Sequence, residues 1–231
     1  MEKTPAAKRA GRRAPARSGR PPKELAGEVE ERIIAAARRV FLERGFDGAS
    51  IEEIAEVARS GKPTIYARFP TKGALFTAMV MRTVLARIEQ FKAEVPGGPT
   101  VKERLASLAL ALLQWVLVSS HVGLMRLAIS ESRRFPDLAA RVGALARERG
   151  AQSVMQLLAE MAQAEGLGSF PAFGPQRIAA TTRFFIDLVV FPLLIRALLG
   201  EKPEQLQAEI EPHVARSVSF FLAGSTHGGV D

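Results

Sequence analysis

The side chains best suited to bind a polyanion lie between residues 59 and 72 of this 231-residue chain. They are cations and hydroxyls at close spacing, namely Arg59, Lys62, Thr64, Tyr66, Arg68 and Lys72. Thr64 and Arg68 are four residues apart, so they would share one face of a helix, and Ile65 and Phe69 would share another that suits a core. Hydroxyl and cationic groups on an outer helix face can hydrogen-bond base edges and phosphates in a major groove. The pattern predicts a contact with DNA; the alternative is an ordinary solvated helix.

The elements that must position this helix are encoded just before it. A first amphipathic helix up to Gly45 is predicted from apolar residues at helical spacing, which are Ile33, Ile34, Ala37, Val40 and Phe41. Ser50 and Glu53 have the capping-box pattern, in which each side chain accepts from the other residue's backbone N–H, and they start a short second helix. Residues 59–61 form a turn, and a third helix is predicted from Lys62 to Phe69. Together these are a helix-turn-helix unit.

The stretch from Arg32 to Lys72 resembles the DNA-binding domain of TetR-family transcriptional regulators. The matching residues are Val40-Phe41, Arg44-Gly45-Phe46, Ser50-Ile51-Glu52-Glu53-Ile54-Ala55, Pro63-Thr64-Ile65-Tyr66, Phe69 and Lys72-Gly73-Ala74-Leu75. The resemblance implies that Lys62, Thr64 and Arg68 read bases. It likewise implies that Ser50, Tyr66 and Lys72 contact phosphates.

One position departs from the family's pattern. The family usually has glycine and then an apolar residue in the turn, whereas this chain has Arg59-Ser60 and its glycine at Gly61. The departure leaves the conformation of the turn open, and it makes Arg59 a candidate for an additional DNA contact.

A basic arm precedes the helix-turn-helix unit. Residues 1–23 hold eight Lys or Arg and one acid, so they carry nearly all of the chain's net charge of +8. Residues 1–24 are rich in proline and low in complexity, which predicts disorder. Around Arg20 the sequence Gly-Arg-Pro resembles the core of an AT-hook, which lays arginine into a minor groove ~6 Å wide. The alternative is a solvated, flexible tail.

The rest of the chain is predicted to be helical. Sustained two-residue alternation is lacking, and loop signals separate predicted helices at about 74–95, 101–118, 122–134, 136–166, 176–199 and 203–222. The predicted fold is all-α with about nine helices. It comprises the arm (1–24), a helix-turn-helix DNA-binding domain (25–73) and a helical effector-binding and dimerisation domain (74–231).

The role of the last domain is implied by the resemblance, which gives it a ligand site and a four-helix bundle made with a second copy. We expect the dimer contacts on the final two helices, at Phe185, Leu188, Val189, Val214, Val218 and Phe221. Arg134-Phe135-Pro136-Asp137-Leu138 and Phe184-Phe185-Ile186-Asp187-Leu188 resemble the AefR-type subgroup.

An effector pocket is predicted from bulky or adaptable side chains and one carboxylate on these helices, namely Trp115, Met125, Met155, Phe184, Asp187 and Phe191. Plain core packing is the alternative for each apolar residue. Asp187, if buried, would need a partner, which Arg183 or Arg196 could supply.

Several other functions are disfavoured. The chain lacks cysteine, and its three histidines, His121, His213 and His227, do not have metal-ligand or catalytic spacing, so we expect neither a metal nor a cofactor. Residues 105–125 lack charge and approach the length of a membrane span. Gln114 and a Ser-Ser-His cluster interrupt them, so two helices are expected, with Ser120 as the N-cap of the second.

The sequence therefore predicts a cytoplasmic, nucleoid-associated DNA-binding regulator without a membrane partner. We expect a homodimeric repressor that binds a palindromic operator in double-stranded DNA and is released by a small apolar or amphipathic effector. The first alternative is an architectural protein that binds AT-rich DNA without an effector. A remote alternative is an enzyme that uses the helical pocket.

Overall fold

The computed structural model describes residues 23–91, 97–164 and 170–226, and every regular element within these ranges is helical. The basic arm, including Arg20, lies outside the described residues. The all-α prediction is confirmed.

The unit predicted to bind DNA, called the DNA-binding unit below, consists of α1 (Lys23–Gly48), α2 (Ile51–Val57) and α3 (Lys62–Tyr66). α1 breaks at the predicted Gly45, whose φ of 71° suits glycine, and continues for one short turn. Ser50 caps α2, and its Oγ accepts from the backbone N–H of Glu53 at 3.1 Å. The other half of the predicted capping box is wrong, because the carboxylate of Glu53 accepts from Arg44 Nε at 3.4 Å instead.

The third helix is shorter than predicted. α3 ends at Tyr66, and Ala67 and Arg68 form a turn that closes when the N–H of Phe69 donates to the carbonyl of Ile65 at 2.8 Å. Pro70 follows directly and prevents the helix from continuing.

The second domain contains α4 (Lys72–Phe91), α5 (Val101–Val116), α6 (Ser119–Ser130), α7 (Pro136–Leu145), α8 (Ala151–Ala164), α9 (Ile178–Leu198) and α10 (Pro203–Thr226). A π-helical turn at Ala146–Gly150 joins α7 to α8, where one uninterrupted α-helix was predicted. With α7 and α8 taken as one rod, the described chain has nine helical rods.

The start of α6 differs from expectation, whereas α5 begins at Val101 as predicted. Val118 is the N-cap of α6, so the predicted cap at Ser120 is wrong, and Ser119 instead donates from Oγ to Glu204 Oε1 of α10 at 2.8 Å. A complete capping box begins α5, where Thr100 and Glu103 accept from each other's backbone N–H groups.

Two apolar cores organise the described residues. One lies between α5, α8, α9 and α10, and the other joins α1, α2 and α3 to the first half of α4. Leu124 of α6 and Leu138 of α7 are buried in the second core, so the two domains share packing. Phe135, between those helices, packs beside the same core.

Two parts of the second domain are apolar enough to cross a bilayer by length and composition alone. One is α9, of which 28% of the most apolar window is buried, and the other is the pair of α5 and α6, bent by 63° at their junction. Core helices of soluble proteins can be equally long and apolar. The partial burial of α9 is nevertheless informative, because it leaves an apolar surface uncovered.

Gly73 and Gly123 provide a matched test of the packing between the domains. A Cβ added at Gly73 would lie 3.0 Å from a ring carbon of Phe135, whereas one at Gly123 would lie 3.5 Å from Leu42 Cδ2. We expect Gly73→Ala to lower the free energy of unfolding by about 1 kcal/mol, because overpacking outweighs the gain in helix propensity. Gly123→Ala should raise it by roughly 0.5–1 kcal/mol. Urea denaturation measures both, and an equal effect of the two substitutions would contradict tight packing at Phe135.

Candidate nucleic-acid interface and effector cavity

The turn that presents α3 depends on a left-handed arginine. Arg59 has a φ of 49°, while Gly61 has an ordinary φ of −74° and caps α3. The N–H of Ser60 donates to the carbonyl of Ala55 at 2.9 Å and closes the turn. A residue with a Cβ in this conformation costs roughly 1–2 kcal/mol, which glycine would avoid. The exposed Arg59 side chain therefore occupies the position where the family usually has glycine.

The start of α3 carries an exposed ion pair. Lys62 Nζ donates to Glu52 Oε1 of α2 at 2.8 Å, and both side chains are exposed. This hydrogen bond raises the pKa of Lys62 and lowers that of Glu52. Tyr66 is exposed and Thr64 is half-buried on the same short helix. α3 therefore offers a cation and two hydroxyls toward solvent.

Arg68 is less available than the sequence suggested. Its Nη1 donates to the carbonyl of Thr64 at 3.3 Å, and its Nε lies 3.8 Å from Glu30 Oε2 on α1. Glu30 also pairs with Arg82 of α4. Arg68 thus belongs to a charge network that ties α3 to α1 and α4, and it would have to leave Glu30 to reach a base.

Two residues expected at phosphates also hold the unit together. Ser50 caps α2, as described above. Lys72 Nζ donates to the carbonyls of Ala49 at 2.9 Å and Asp47 at 3.4 Å, and it lies 4.7 Å from the centre of the Phe46 ring. Lys72 therefore fastens the connection between α1 and α2 to the start of α4. An ammonium has three donors, so one N–H remains for a phosphate.

The corner between α6 and α7, residues 131–135, contacts the DNA-binding unit through a hydrogen bond and an aromatic ring. Arg134 Nη1 donates to Asp47 Oδ1 at 2.6 Å, and this bond lowers the pKa of Asp47. The ring of Phe135 lies 4.9 Å from that of Phe46 and 5.2 Å from that of Phe76. Sequence reasoning quoted these corner residues only as a resemblance to a subgroup, because no local pattern reveals a contact across 87 positions.

An apolar cavity of about 250 Å³ lies inside the second domain. Helices α4 to α9 all contribute to its wall, which includes the predicted Trp115 and Met125. Val154 faces it in place of the predicted Met155. The predicted Phe184, Asp187 and Phe191 do not line it, because all three are exposed on the opposite side of α9.

The side of α9 that faces the protein interior is the one that the sequence analysis assigned to the dimer contact, and the side assigned to the pocket faces solvent. Of the six residues expected to make dimer contacts, Leu188 is half-buried, and five are buried within one protomer, namely Phe185, Val189, Val214, Val218 and Phe221. Asp187 is exposed and needs no buried partner, and Arg196 pairs with Glu201 and Glu209. α9 is apolar around most of its circumference, so its periodicity could not identify the inner side.

His121, at the start of α6, is a cavity residue that sequence reasoning passed over. Its ring lies 5.1 Å from that of Trp115, and its Nδ1 is buried with no hydrogen-bond partner among the described residues. Burial lowers the pKa of His121 to about 4, and the charges of Arg87 and Arg38 add to the effect. The imidazole is therefore neutral at pH 7. Within the described ranges, no group of three or more His, Asp or Glu side chains could hold a metal ion.

Family profiles match both domains. Residues 33–79 match the bacterial regulatory proteins of the TetR family, and residues 103–224 match the C-terminal domain of AefR-like transcriptional repressors. The chain belongs to the TetR family. Both profiles describe transcriptional regulators.

Solved structures of other regulators share this fold. One from Mesorhizobium loti is 26% identical with a TM-score of 0.71, over 86% of this chain and 96% of that one. The flavonoid-responsive regulator FrrA is 28% identical with a TM-score of 0.60, over 85% and 96%.

Two curated regulators match over a shorter stretch. YvdT of Bacillus subtilis is 34% identical over 76 residues, which are 33% of this chain and 39% of YvdT. The transcriptional activator FasR of Mycolicibacterium smegmatis is 35% identical over 82 residues, 34% of this chain and 36% of FasR. The chain therefore aligns with well under half the length of either relative.

Substitution of Lys72, with Lys62 as an exposed control, measures how much Lys72 stabilises the fold. We expect Lys72→Met to lower the free energy of unfolding by roughly 1 kcal/mol without DNA, because two carbonyls lose a charged donor. Lys62→Met should leave it nearly unchanged, since an exposed ion pair contributes little. Both are measured by urea denaturation at low protein concentration. A loss for Lys62→Met that equals the loss for Lys72→Met would refute the fastening role of Lys72.

Proposed function

We propose that this TetR-family protein is a homodimeric repressor that leaves a palindromic operator when a small apolar or amphipathic molecule enters the cavity. The observation that carries the proposal is the shared use of α6 and α7. Met125 of α6 and Val142 of α7 line the cavity, and the corner between these helices binds the DNA-binding unit through Arg134 and Phe135.

A ligand in the cavity has a physical route to α3. Filling the cavity favours whichever arrangement of α6 and α7 accommodates the ligand best, and the corner at Arg134 carries that preference to Asp47. α4 offers a second route, because Ile88 lines the cavity and Lys72, about 24 Å along the same helix, fastens the connection between α1 and α2 to α4. An effector then lowers operator affinity by as much as it prefers the non-binding arrangement.

The DNA-contacting surface of the proposal combines the exposed residues of α3 with the flanking turn. Lys62, Thr64 and Tyr66 face outward, and Arg59 extends from the turn. Arg68 joins them if it exchanges Glu30 for a base or phosphate. Ser50 and Lys72 contribute at the phosphates while holding the unit together, and Arg20 reaches the flanking minor groove.

An exposed apolar surface on α9 and α10 supports a homodimer. Phe184, Phe191 and Phe220 are 52%, 59% and 67% exposed. Phe185 of α9 contacts Phe221 of α10, with ring centres 4.9 Å apart. The short connection makes the two helices antiparallel, so the residues just before this pair, Phe184 and Phe220, point to the same side. Burying such a patch against a second copy removes it from water.

A dimer also satisfies the geometry of operator recognition. One short helix such as α3 contacts few base pairs, and two copies about 34–36 Å apart read two half-sites on one side of the duplex. The palindrome of the operator then follows from the two-fold symmetry of the dimer. This arrangement favours a specific regulator over an architectural protein that binds any AT-rich DNA.

The comparisons support the regulatory part of the proposal in different ways. The profile matched by the second domain is that of a repressor, which favours repression over activation. FrrA responds to flavonoids, which supports a small-molecule effector here. A DNA-binding regulator of this kind acts on the nucleoid, and we place the protein in the bacterial cytoplasm on that ground.

Phe184 and Ile129 test the dimer. We expect Phe184→Glu to raise the dimer dissociation constant at least about 100-fold, because it buries an unpaired carboxylate in the interface. Ile129→Glu, at a residue 57% exposed on α6, should leave the dimer intact. Analytical ultracentrifugation across micromolar concentrations measures both. A Phe184→Glu protein that dimerises like wild type would exclude this surface.

Arg134 and its exposed neighbour Arg133 test the coupling. para-Propylphenol is a small amphipathic molecule of the class proposed above. In the wild-type protein, we expect it at saturation to weaken binding to a selected palindromic duplex at least about 5-fold. In Arg134→Met the response should shrink below about 2-fold, whereas Arg133→Met should respond like wild type. Fluorescence anisotropy measures the affinities, with a random duplex of equal AT content as the control. Equal responses in the two variants would remove Arg134 from the coupling.

A further inference from the structure

We propose that the cavity selects an uncharged, mainly apolar molecule carrying one hydroxyl group, which hydrogen-bonds Nδ1 of His121. An alkylphenol or a long-chain alcohol has this chemistry. The inference rests on the proposed effector cavity and specifies which ligands it accepts.

Among the polar wall groups, only His121 has a buried side-chain nitrogen or oxygen without a hydrogen-bond partner in the described residues. The lining side chains with polar atoms are Trp115, His121 and Ser153. The indole N–H of Trp115 already donates to the carbonyl of Arg87 at 3.1 Å, and the hydroxyl of Ser153 donates to the carbonyl of Arg149 at 3.3 Å. Nδ1 of His121 is buried and lacks a partner within the described chain.

Nδ1 is covered by protein atoms as the ring stands, so a ligand reaches it when the ring turns about its Cβ–Cγ bond. A buried ring nitrogen without a partner is unfavourable, so a ligand that satisfies it gains affinity. A hydroxyl suits either tautomer of neutral histidine. Its O–H can donate to an unprotonated Nδ1, and its oxygen can accept from a protonated one. The rest of the wall is apolar, so the remainder of the ligand must be apolar too.

Charge narrows the ligand class further. Burial lowers the pKa of His121, and the charges of Arg87 from α4 and Arg38 from α1 act in the same direction, so that the pKa is about 4. The lining residues from α5, α7, α8 and α9 carry no charge. An amine cation would lose its hydration in this cavity and be repelled by both arginines. A neutral hydroxyl avoids both costs.

Volume limits the size of the ligand. A cavity of about 150 Å³ accommodates benzene, so the 250 Å³ here suits a molecule of roughly ten non-hydrogen atoms. para-Propylphenol meets this limit. para-Propyltoluene has the same shape and a methyl group in place of the hydroxyl, so the pair isolates the hydrogen bond.

Trp115 is the chain's only tryptophan, so its fluorescence reports directly on the cavity. Both probes are titrated against wild type and His121→Phe, and the ratio of the two dissociation constants is compared. We expect the preference for the phenol over the toluene to fall about 3- to 10-fold in His121→Phe. para-Propylbenzylamine should bind wild type at least about 10-fold more weakly than the phenol.

Nitrogen NMR of the wild-type protein provides a readout that does not require the variant to fold. The Nδ1 resonance of His121, assigned in the wild-type protein through the proximity of its ring to that of Trp115, should shift with para-propylphenol and stay in place with para-propyltoluene. If both probes bind but neither the ratio nor the resonance distinguishes them, the role of His121 is overturned and the effector cavity stands. If neither probe changes Trp115 fluorescence, the effector cavity itself fails.

Discussion

Phe135 joins the two domains by packing against two rings that also contact each other, Phe46 of the DNA-binding unit and Phe76 of α4. A Phe ring packed among other rings cannot slide freely, because interiors are close-packed and each displacement moves its neighbours. The DNA-binding unit therefore has no independent orientation. Its position depends on the corner that carries Phe135, and the corner in turn continues into helices that line the cavity.

Charges around Phe46 reinforce this packing. Lys72 lies over the ring at 4.7 Å and Arg134 at 5.0 Å, and Asp47 accepts a hydrogen bond from Arg134. The cations interact with the ring face and with nearby oxygens at the same time. One small region thus holds the end of α1, the start of α4 and the corner after α6. Lys72, which was predicted to contact a phosphate, therefore also stabilises the structure of this region.

The sequence predicted what local chemistry determines. Ser50, Gly45 and Pro63 act on their own backbone or the adjacent turn, so the helix-turn-helix unit and most helix boundaries followed from short patterns. Short patterns did not reveal which side of α9 faces inward, because nearly the whole circumference of this helix is apolar. The contacts of Lys72, Arg68 and Arg134 join residues far apart in the chain, and His121 gained its importance only from the groups around it. Such features require tertiary structure.

The π-helical turn at Ala146–Gly150 fixes the rotational register of the helix that follows it. A π-turn accommodates one more residue than an α-turn, so α8 is rotated by roughly 100° from where an uninterrupted helix would place it. This rotation brings Val154 and Leu158 into the core. The shape of the cavity wall on this side is therefore set by the length of the backbone between two helices, and a relative one residue shorter here would present a different row of side chains to its ligand.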